Sequence, residues 1–351
     1  MKLLIVTQNA DKNDENTGAF YYWFEAFAKK FDEVAIIAGR KGDTSFPGNV
    51  KVFSFGKGVE RSKIMRVWKF WELFSRQYAV ADLVFFHMIP EFVLAASPFL
   101  VSLRKPVFLW YAHGSVPWKL KVAERLADFI FTSSQSGFRL PSKKVFFTGQ
   151  AINTDIFAPR SAKAPRARRD IRFVTVGRIS PIKNYEIILR ACKVLEDTWP
   201  REWTLSCVGG PLLSRDHDYF DFLRTLVKTL GIEKRVEFLG SRSFSEIPLL
   251  LPDYDVFLNV SKTGSLDKVV LEAMASGLSV ITANDAYRSI LSPPYFLEYV
   301  SPEFLAERMK MLSQESRPNE ALREIVLQDH SLAKTMEKMS AIMLGSIKKQ
   351  L

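Results

Sequence analysis

Two cations and one carboxylate carry the clearest chemical signal in this 351-residue chain. Arg178 and Lys183 flank a turn in VGRISPIKN (176–184), directly after an apolar run. Glu272 lies in SKTGSLDKVVLEAMASG (261–277), between the apolar runs DVFLNV (255–260) and LSVITA (278–283). An arginine and a lysine at the carboxyl end of a strand, beside a helix N-terminus, suit a diphosphate. Their bonds to it are charge-assisted, and the first N–H groups of the helix are unpaired. A carboxylate about a turn into a helix offers acceptors to hydroxyl groups. Gly264 and Ser265 let backbone come close to a bound group, and VGGP (208–211) adds Gly209 and Gly210, although a lone glycine pair usually means only a turn. Together with Gly177, these features outline a pocket for a nucleoside diphosphate. LEAMASG alone is equally consistent with an amphipathic helix that ends at a glycine cap.

These residues need parallel strands to bring them together. Continuous apolar runs predict them: KLLIVT (2–7), EVAIIAG (33–39), VKVFSF (50–55), DLVFFH (82–87), PVFLWYAHG (106–114), FIFTSS (129–134) and KVFFTG (144–149). After the Pro-punctuated, basic stretch 158–170 come IRFVTVGR, TLSCVGG, VEFLG, DVFLNV and LSVITA, again alternating with helical segments. The expectation is an α/β chain of two Rossmann-like domains facing a cleft, with 1–157 first, 158–170 as linker, 171–330 second, and the helix 331–351 returning to the first domain. The polar loop QNADKNDENTG is expected to sit at the cleft edge, with Asn16 or Thr17 capping the next helix and Gly18 relaxing its start.

Composition is that of an ordinary globular protein, with 47% hydrophobic and 25% charged residues. Cys192 and Cys207, both among apolar neighbours, read as buried thiols of a reducing compartment. The longest apolar stretch after the first strand, FVLAASPFLVSL, is too short to span a bilayer, so the chain reads as cytoplasmic, soluble or peripheral on the inner face of a membrane. A net charge of +11 implies an anionic partner. In the helix predicted at 57–79, Lys57, Arg61, Lys63, Arg66, Lys69 and Arg76 alternate with Met65, Trp68, Phe70, Trp71 and Phe74. Its aromatic face is expected to pack on the sheet and its basic face to meet an anionic membrane surface.

Other chemistries find no support. The chain has no P-loop, nucleophile elbow, HExxH, paired-cysteine site or nucleic-acid module, which argues against a nucleotide triphosphatase and a nucleic-acid partner. Asp216-His217-Asp218 and Asp253-Tyr254-Asp255 resemble a metal-binding Asp-x-Asp, but the first opens a helix and the second enters a buried strand, so no metal is assigned. His113, at a strand end in WYAHGSVPW, reads as a cleft-edge residue, and His87 as a structural or cleft-wall one.

In VGRISPIKN, VGGP, VEFLG and SKTGSLDKVVLEAMASGLSVI, and more weakly in YAHGS and GQAINTDIF, the chain resembles the retaining glycosyltransferases of family 4, glycosyl transferases group 1, which have the GT-B fold. The resemblance implies transfer of a sugar from a nucleotide-diphosphate sugar to a saccharide or lipid-linked acceptor, as in surface polysaccharide or glycolipid synthesis, with no metal and no further cofactor. Other GT-B activities, epimerisation or phosphorolysis, and a binding protein without turnover are the alternatives. By position, Arg178 and Lys183 would stabilise the leaving diphosphate, Glu272 would hold the ribose, and Gly240 and Arg242 would contact the base. His113 would lie near the transferred sugar, and Gly18 with Ala19 on the acceptor side. Gly264, Ser265, Leu266, Asp267, Lys268 and Val269 would line the donor loop. Where the family has a first glutamate, separated from the second by seven intervening residues, this chain has Gly264, so Asp267 or Lys268 is expected to take over a sugar or phosphate contact.

Overall fold

A computed structural model describes residues 1–14, 17–56, 62–160 and 170–348. These divide into two units, Met1–Asn153 with Asp329–Leu351, and Thr154–Gln328. In chain order the first unit contains β1 (Lys2–Ala10), α1 (Ala19–Ala28), β2 (Glu33–Lys41), β3 (Val50–Ser54), α2 (Lys63–Val80), β4 (Leu83–His87) and α3 (Pro90–Ser102). It continues with β5 (Val107–Trp110), α4 (Trp118–Leu126), β6 (Phe129–Thr132) and β7 (Val145–Phe147). The second unit runs β8 (Ile171–Val176), α5 (Tyr185–Thr198), β9 (Trp203–Val208), α6 (Ser214–Leu230), β10 (Val236–Gly240), α7 (Ile247–Leu250), β11 (Val256–Asn259), α8 (Lys268–Ala275), β12 (Ser279–Thr282), α9 (Pro302–Leu312) and α10 (Glu320–Ile325). A last helix, α11 (Leu332–Lys348), follows.

Each apolar run predicted as a strand becomes one. The first sheet has the order β3-β2-β1-β4-β5-β6-β7 and the second β10-β9-β8-β11-β12, with every pairing parallel. In β1, Leu4 and Val6 join the core beneath α2, α3 and α4, while Leu3 and Ile5 join the core on the opposite face, with Trp23 and Phe27 of α1. Burial on both faces is why such strands are apolar throughout rather than alternating. The second face is completed by α11, whose Met336, Met339 and Met343 enter the same cluster. Two backbone bonds of 2.7 Å, from Ile152 N–H to His330 O and from Leu332 N–H to Ile152 O, fix the start of that helix.

Two local expectations change. Gly18 itself is the N-cap of α1, in ordinary right-handed geometry (φ −56°), so the start of the helix does not draw on a glycine's freedom. Thr17 does not cap either; its amide and hydroxyl both donate to Asp14 Oδ1 at 2.7 Å, and Asn16 lies outside the described residues. In α2 the two tryptophans do not pack on the sheet. Phe70, Leu73, Phe74 and Tyr78 take that stripe, spaced as a helix face requires, and Trp68 falls nearly opposite it and is 71% exposed. Lys57 and Arg61 lie outside the described residues.

Met339, fully buried under the first sheet, makes α11 part of that unit's core. Met339→Ala should therefore lower stability by roughly 2–5 kcal/mol, read from denaturant or thermal unfolding.

Candidate functional site

In the second sheet, β8, β9 and β10 spread to one side, and the chain then returns to lay β11 and β12 on the other side of β8. The loops after β8 and β11 must diverge, and the divergence opens a crevice at the carboxyl edge of a parallel sheet. Gly177, Arg178 and Lys183 follow β8, and Gly264, Ser265, Leu266, Asp267 and Lys268 follow β11, so the fold brings the two segments picked out in the sequence to one crevice.

Backbone bonds knit the strand ends together. Gly177 N–H donates to Val208 O, Gly209 N–H to Gly240 O, and Ile179 N–H to Gly210 O, at 2.9–3.0 Å. A Cβ on Gly209 would fall 2.0 Å from Gly177 O, at a φ of +134°. Contact between adjacent strand ends thus accounts for glycine at 209, with no need for a ligand there. Gly240 closes β10 at φ +71° and has open space around it.

Each crevice cation faces a carboxylate. Lys183 Nζ lies 2.9 Å from Asp267 Oδ2, with both side chains largely buried. Arg178 Nε lies 3.8 Å from Oδ2 of the buried Asp216, which also accepts from Leu213 N–H, and the arginine is 39% exposed. The turn between the two cations is held by Lys262 N–H on Ile182 O (3.0 Å) and by the Tyr185 hydroxyl on Gly177 O (2.8 Å). Within that turn, the Ser180 hydroxyl and the Asn184 side-chain nitrogen are buried with no hydrogen-bond partner among the described residues.

Glu272 and Lys268 are four residues apart on α8 and so share a face. Burial pushes the Glu272 carboxyl up and the Lys268 ammonium down, and each charge partly offsets the effect of burial on the other. Leu266 is buried, Val269 half-buried, and Gly264 takes the left-handed region at φ +65°. A non-glycine residue at 264 would be strained in this loop.

The remaining sequence-predicted residues lie elsewhere. Arg242 pairs with Glu246 at 3.5 Å and lines a shallow groove with Arg172, Asp253 and Tyr254. His113, Gly18 and Ala19 belong to the first unit. His113 is exposed just beyond β5, and its Nδ1 receives Ser115 N–H at 3.1 Å. An amide only donates, so Nδ1 is the acceptor and the neutral ring carries its proton on Nε2. His113 therefore presents a donor, not a base, at Nε2. His87, buried at the end of β4 against Thr7 Oγ1 and four aromatic rings, is a core residue.

Sequence reasoning missed the polar residues that build the β11 loop: Asn259, Thr263, Thr282, Asn284 and Tyr287. Asn284 Nδ2 donates to Ser265 O (2.8 Å) and Thr263 Oγ1 (3.2 Å), Thr282 Oγ1 to Asn259 Oδ1 (3.1 Å), and Tyr287 OH to Asp267 O (2.6 Å). An asparagine as the last but one residue of the apolar run DVFLNV was the available signal.

Removing the cation beside Glu272 gives a test with a definite sign. In the native chain the folded-state Glu272 carboxyl titrates above its unfolded value. Its contribution to stability is therefore complete below the unfolded value and is lost as pH rises through the folded one. In Lys268→Met the carboxyl loses the charge that draws it down, so by ¹³C NMR its titration, and that loss window, should move to higher pH.

Residues 170–314 match the family described as glycosyl transferases group 1. The chain is 31% identical over 149 residues to the D-inositol 3-phosphate glycosyltransferase of Corynebacterium glutamicum (strain R), a match covering 40% of this chain and 35% of that protein. The chain thus spans about a third of the length of the curated relatives it matches (34% and 35%). Among solved structures, Anabaena Alr3699/HepE in complex with UDP and glucose superposes with a TM-score of 0.77 at 17% identity, covering 99% of this chain and 100% of that one. The lipopolysaccharide outer core galactosyltransferase WaaB superposes with a TM-score of 0.68 at 16% identity, covering 98% and 100%. The chain has the GT-B fold of these structures, and its likeness to glycosyl transferases group 1 covers residues 170–314.

Proposed function

We propose that this chain is a retaining glycosyltransferase that moves a sugar from a nucleoside diphosphate sugar to a saccharide or lipid-linked acceptor, in the making of a cell-surface polysaccharide or glycolipid. The observation that carries the reading is the placement of Arg178 and Lys183 on one turn at the reversal of strand order in the second sheet. Departure of the diphosphate builds negative charge on the β-phosphate, and fixed cations there lower the barrier without reorganising during reaction. The buried, unpartnered groups of Ser180 and Asn184 add donors to the same turn. Glu272 serves the ribose hydroxyls. As the bond from the anomeric carbon to the diphosphate breaks, the acceptor oxygen bonds to that carbon on the face the diphosphate leaves, and the departing phosphate oxygen takes the acceptor's proton, which retains configuration and needs neither metal nor a side-chain base. UDP, present in the Anabaena structure, is the first nucleotide to try.

The test is nucleotide release from a panel of UDP, GDP and ADP sugars, with saccharide and lipid extracts as acceptors. The chain should release one nucleotide, and Lys183→Ala should slow release about a hundredfold or more. Tight nucleotide-sugar binding with no release under any acceptor would favour a binding protein, and no binding at all would refute the reading.

We also infer that the first unit rests on the anionic inner face of a membrane through the start of α2. Ile64, Met65, Val67 and Trp68 are exposed there, beside Lys63 and Arg66. Trp118, the first residue of α4, is 65% exposed, and both helices begin at the carboxyl edge of the first sheet, because each follows a strand. Apolar side chains ringed by cations are the composition of an interfacial helix. No helix among the described residues is long and apolar enough to cross a membrane. Sedimentation with phosphatidylglycerol vesicles at low salt should carry the chain down, and Arg66→Glu with Lys69→Glu should leave it in the supernatant. Equal recovery with neutral and anionic vesicles would contradict the inference.

A further inference from the structure

Asp267 holds the N-cap position of α8, where an aspartate ordinarily accepts from the first turn's N–H groups, yet its side chain makes no capping bond. Both oxygens turn back toward the sheet. Oδ2 receives Lys183 Nζ (2.9 Å) and Asn259 Nδ2 (3.1 Å), and Oδ1 receives Thr263 Oγ1 (3.2 Å). The supporting groups are themselves fixed. Asn259 is oriented by Thr282 Oγ1 on its Oδ1, and Thr263 Oγ1 accepts from Asn284 Nδ2. Tyr287 OH holds the main-chain oxygen of Asp267. The Asp267 side chain is 12% exposed and that of Lys183 18%. Residues from two strand ends and the intervening loop thus aim one carboxylate at one lysine across the crevice.

An ammonium has three N–H donors on a flexible stem. Tying one of them to a carboxylate that cannot itself move leaves two with defined directions. A largely buried pair of this kind gains little stability for the fold, since desolvation cancels much of the attraction. Its value lies in orientation.

We propose that Asp267 is the positioning residue for Lys183: it holds the ammonium so that its two remaining N–H groups face the donor's diphosphate, and it does not itself contact the sugar. The proposal rests on the donor reading above and differs from the expectation that Asp267 replaces the absent glutamate as a sugar contact. It has a second consequence. The carboxylate cancels part of the pocket's positive charge, so a released nucleoside diphosphate is held less tightly than Lys183 alone would hold it.

A double-mutant cycle tests this with two readouts, kcat for nucleotide release and Kd for UDP by calorimetry. With Lys183 present, Asp267→Asn should lower kcat about tenfold or more, while UDP binds as tightly as before or up to about fivefold tighter. In a Lys183→Met background the same change should alter neither quantity. Thr263→Val, which frees Oδ1 but leaves the charge, should lower kcat in the same direction by a smaller factor. An equal loss of kcat or of UDP affinity in both backgrounds would mean that Asp267 acts on the ligand or the fold independently of Lys183, and would overturn the proposal. So would an unchanged kcat with Lys183 present. Should the unmutated chain neither bind UDP nor release nucleotide from any donor, the donor reading falls and this proposal with it; failure of the cycle in a chain that binds and releases UDP sinks only the proposal.

Discussion

A parallel sheet sends every loop that follows a strand to the same edge, and where the strand order reverses two of those loops must part. In the second unit that reversal lies between β8 and β11, and the chemistry read from the sequence is placed by it. The turn with Arg178 and Lys183 leaves one strand, the loop with Asp267 leaves its neighbour, and α8 carries Lys268 and Glu272 away from the edge. The crevice follows from topology, so side chains 84 residues apart in sequence, Lys183 and Asp267, meet at 2.9 Å.

The charges at that edge are balanced rather than bare. Lys183 faces Asp267, Arg178 faces Asp216, and Lys268 shares a helix face with Glu272. Cations placed in a partly dry crevice without counter-charges would cost stability and would leave long side chains free to wander. Pairing lowers the first cost and removes the second. It also weakens attraction for a diphosphate, and under the donor reading proposed above a site that releases a nucleoside diphosphate after each turnover would gain from that, because binding substrate and product alike does not speed the chemical step.

The strands were legible in the sequence because burial on both faces demands uninterrupted apolar runs, and KLLIVT and DVFLNV leave little else to infer. Lys183 and Glu272 were legible as candidates for the same reason: charged residues just beyond such runs, near helix starts, are seldom idle. The network around Asp267 was not. Asn259, Thr263, Asn284 and Tyr287 are ordinary polar residues whose meaning depends on which strand ends adjoin, and adjacency is set by sheet order, which no local pattern states. The aromatic side of α2 was misread because composition does not show which stripe a helix buries. The 70, 73, 74, 78 spacing does, and it leaves Trp68 outside. Gly209 was read as room for a ligand or as a turn, and the sequence could not show that the carbonyl of Gly177 at the next strand end by itself requires glycine there.

The central claim is that the crevice between β8 and β11 holds a donor diphosphate on Lys183. A crystal structure of the chain soaked with UDP tests it most directly. The account predicts β-phosphate oxygens within hydrogen-bond distance of Lys183 Nζ, with Asp267 still bonded to the same ammonium. Nucleotide bound elsewhere on the second unit, with the Lys183 and Asp267 pair untouched, would contradict it.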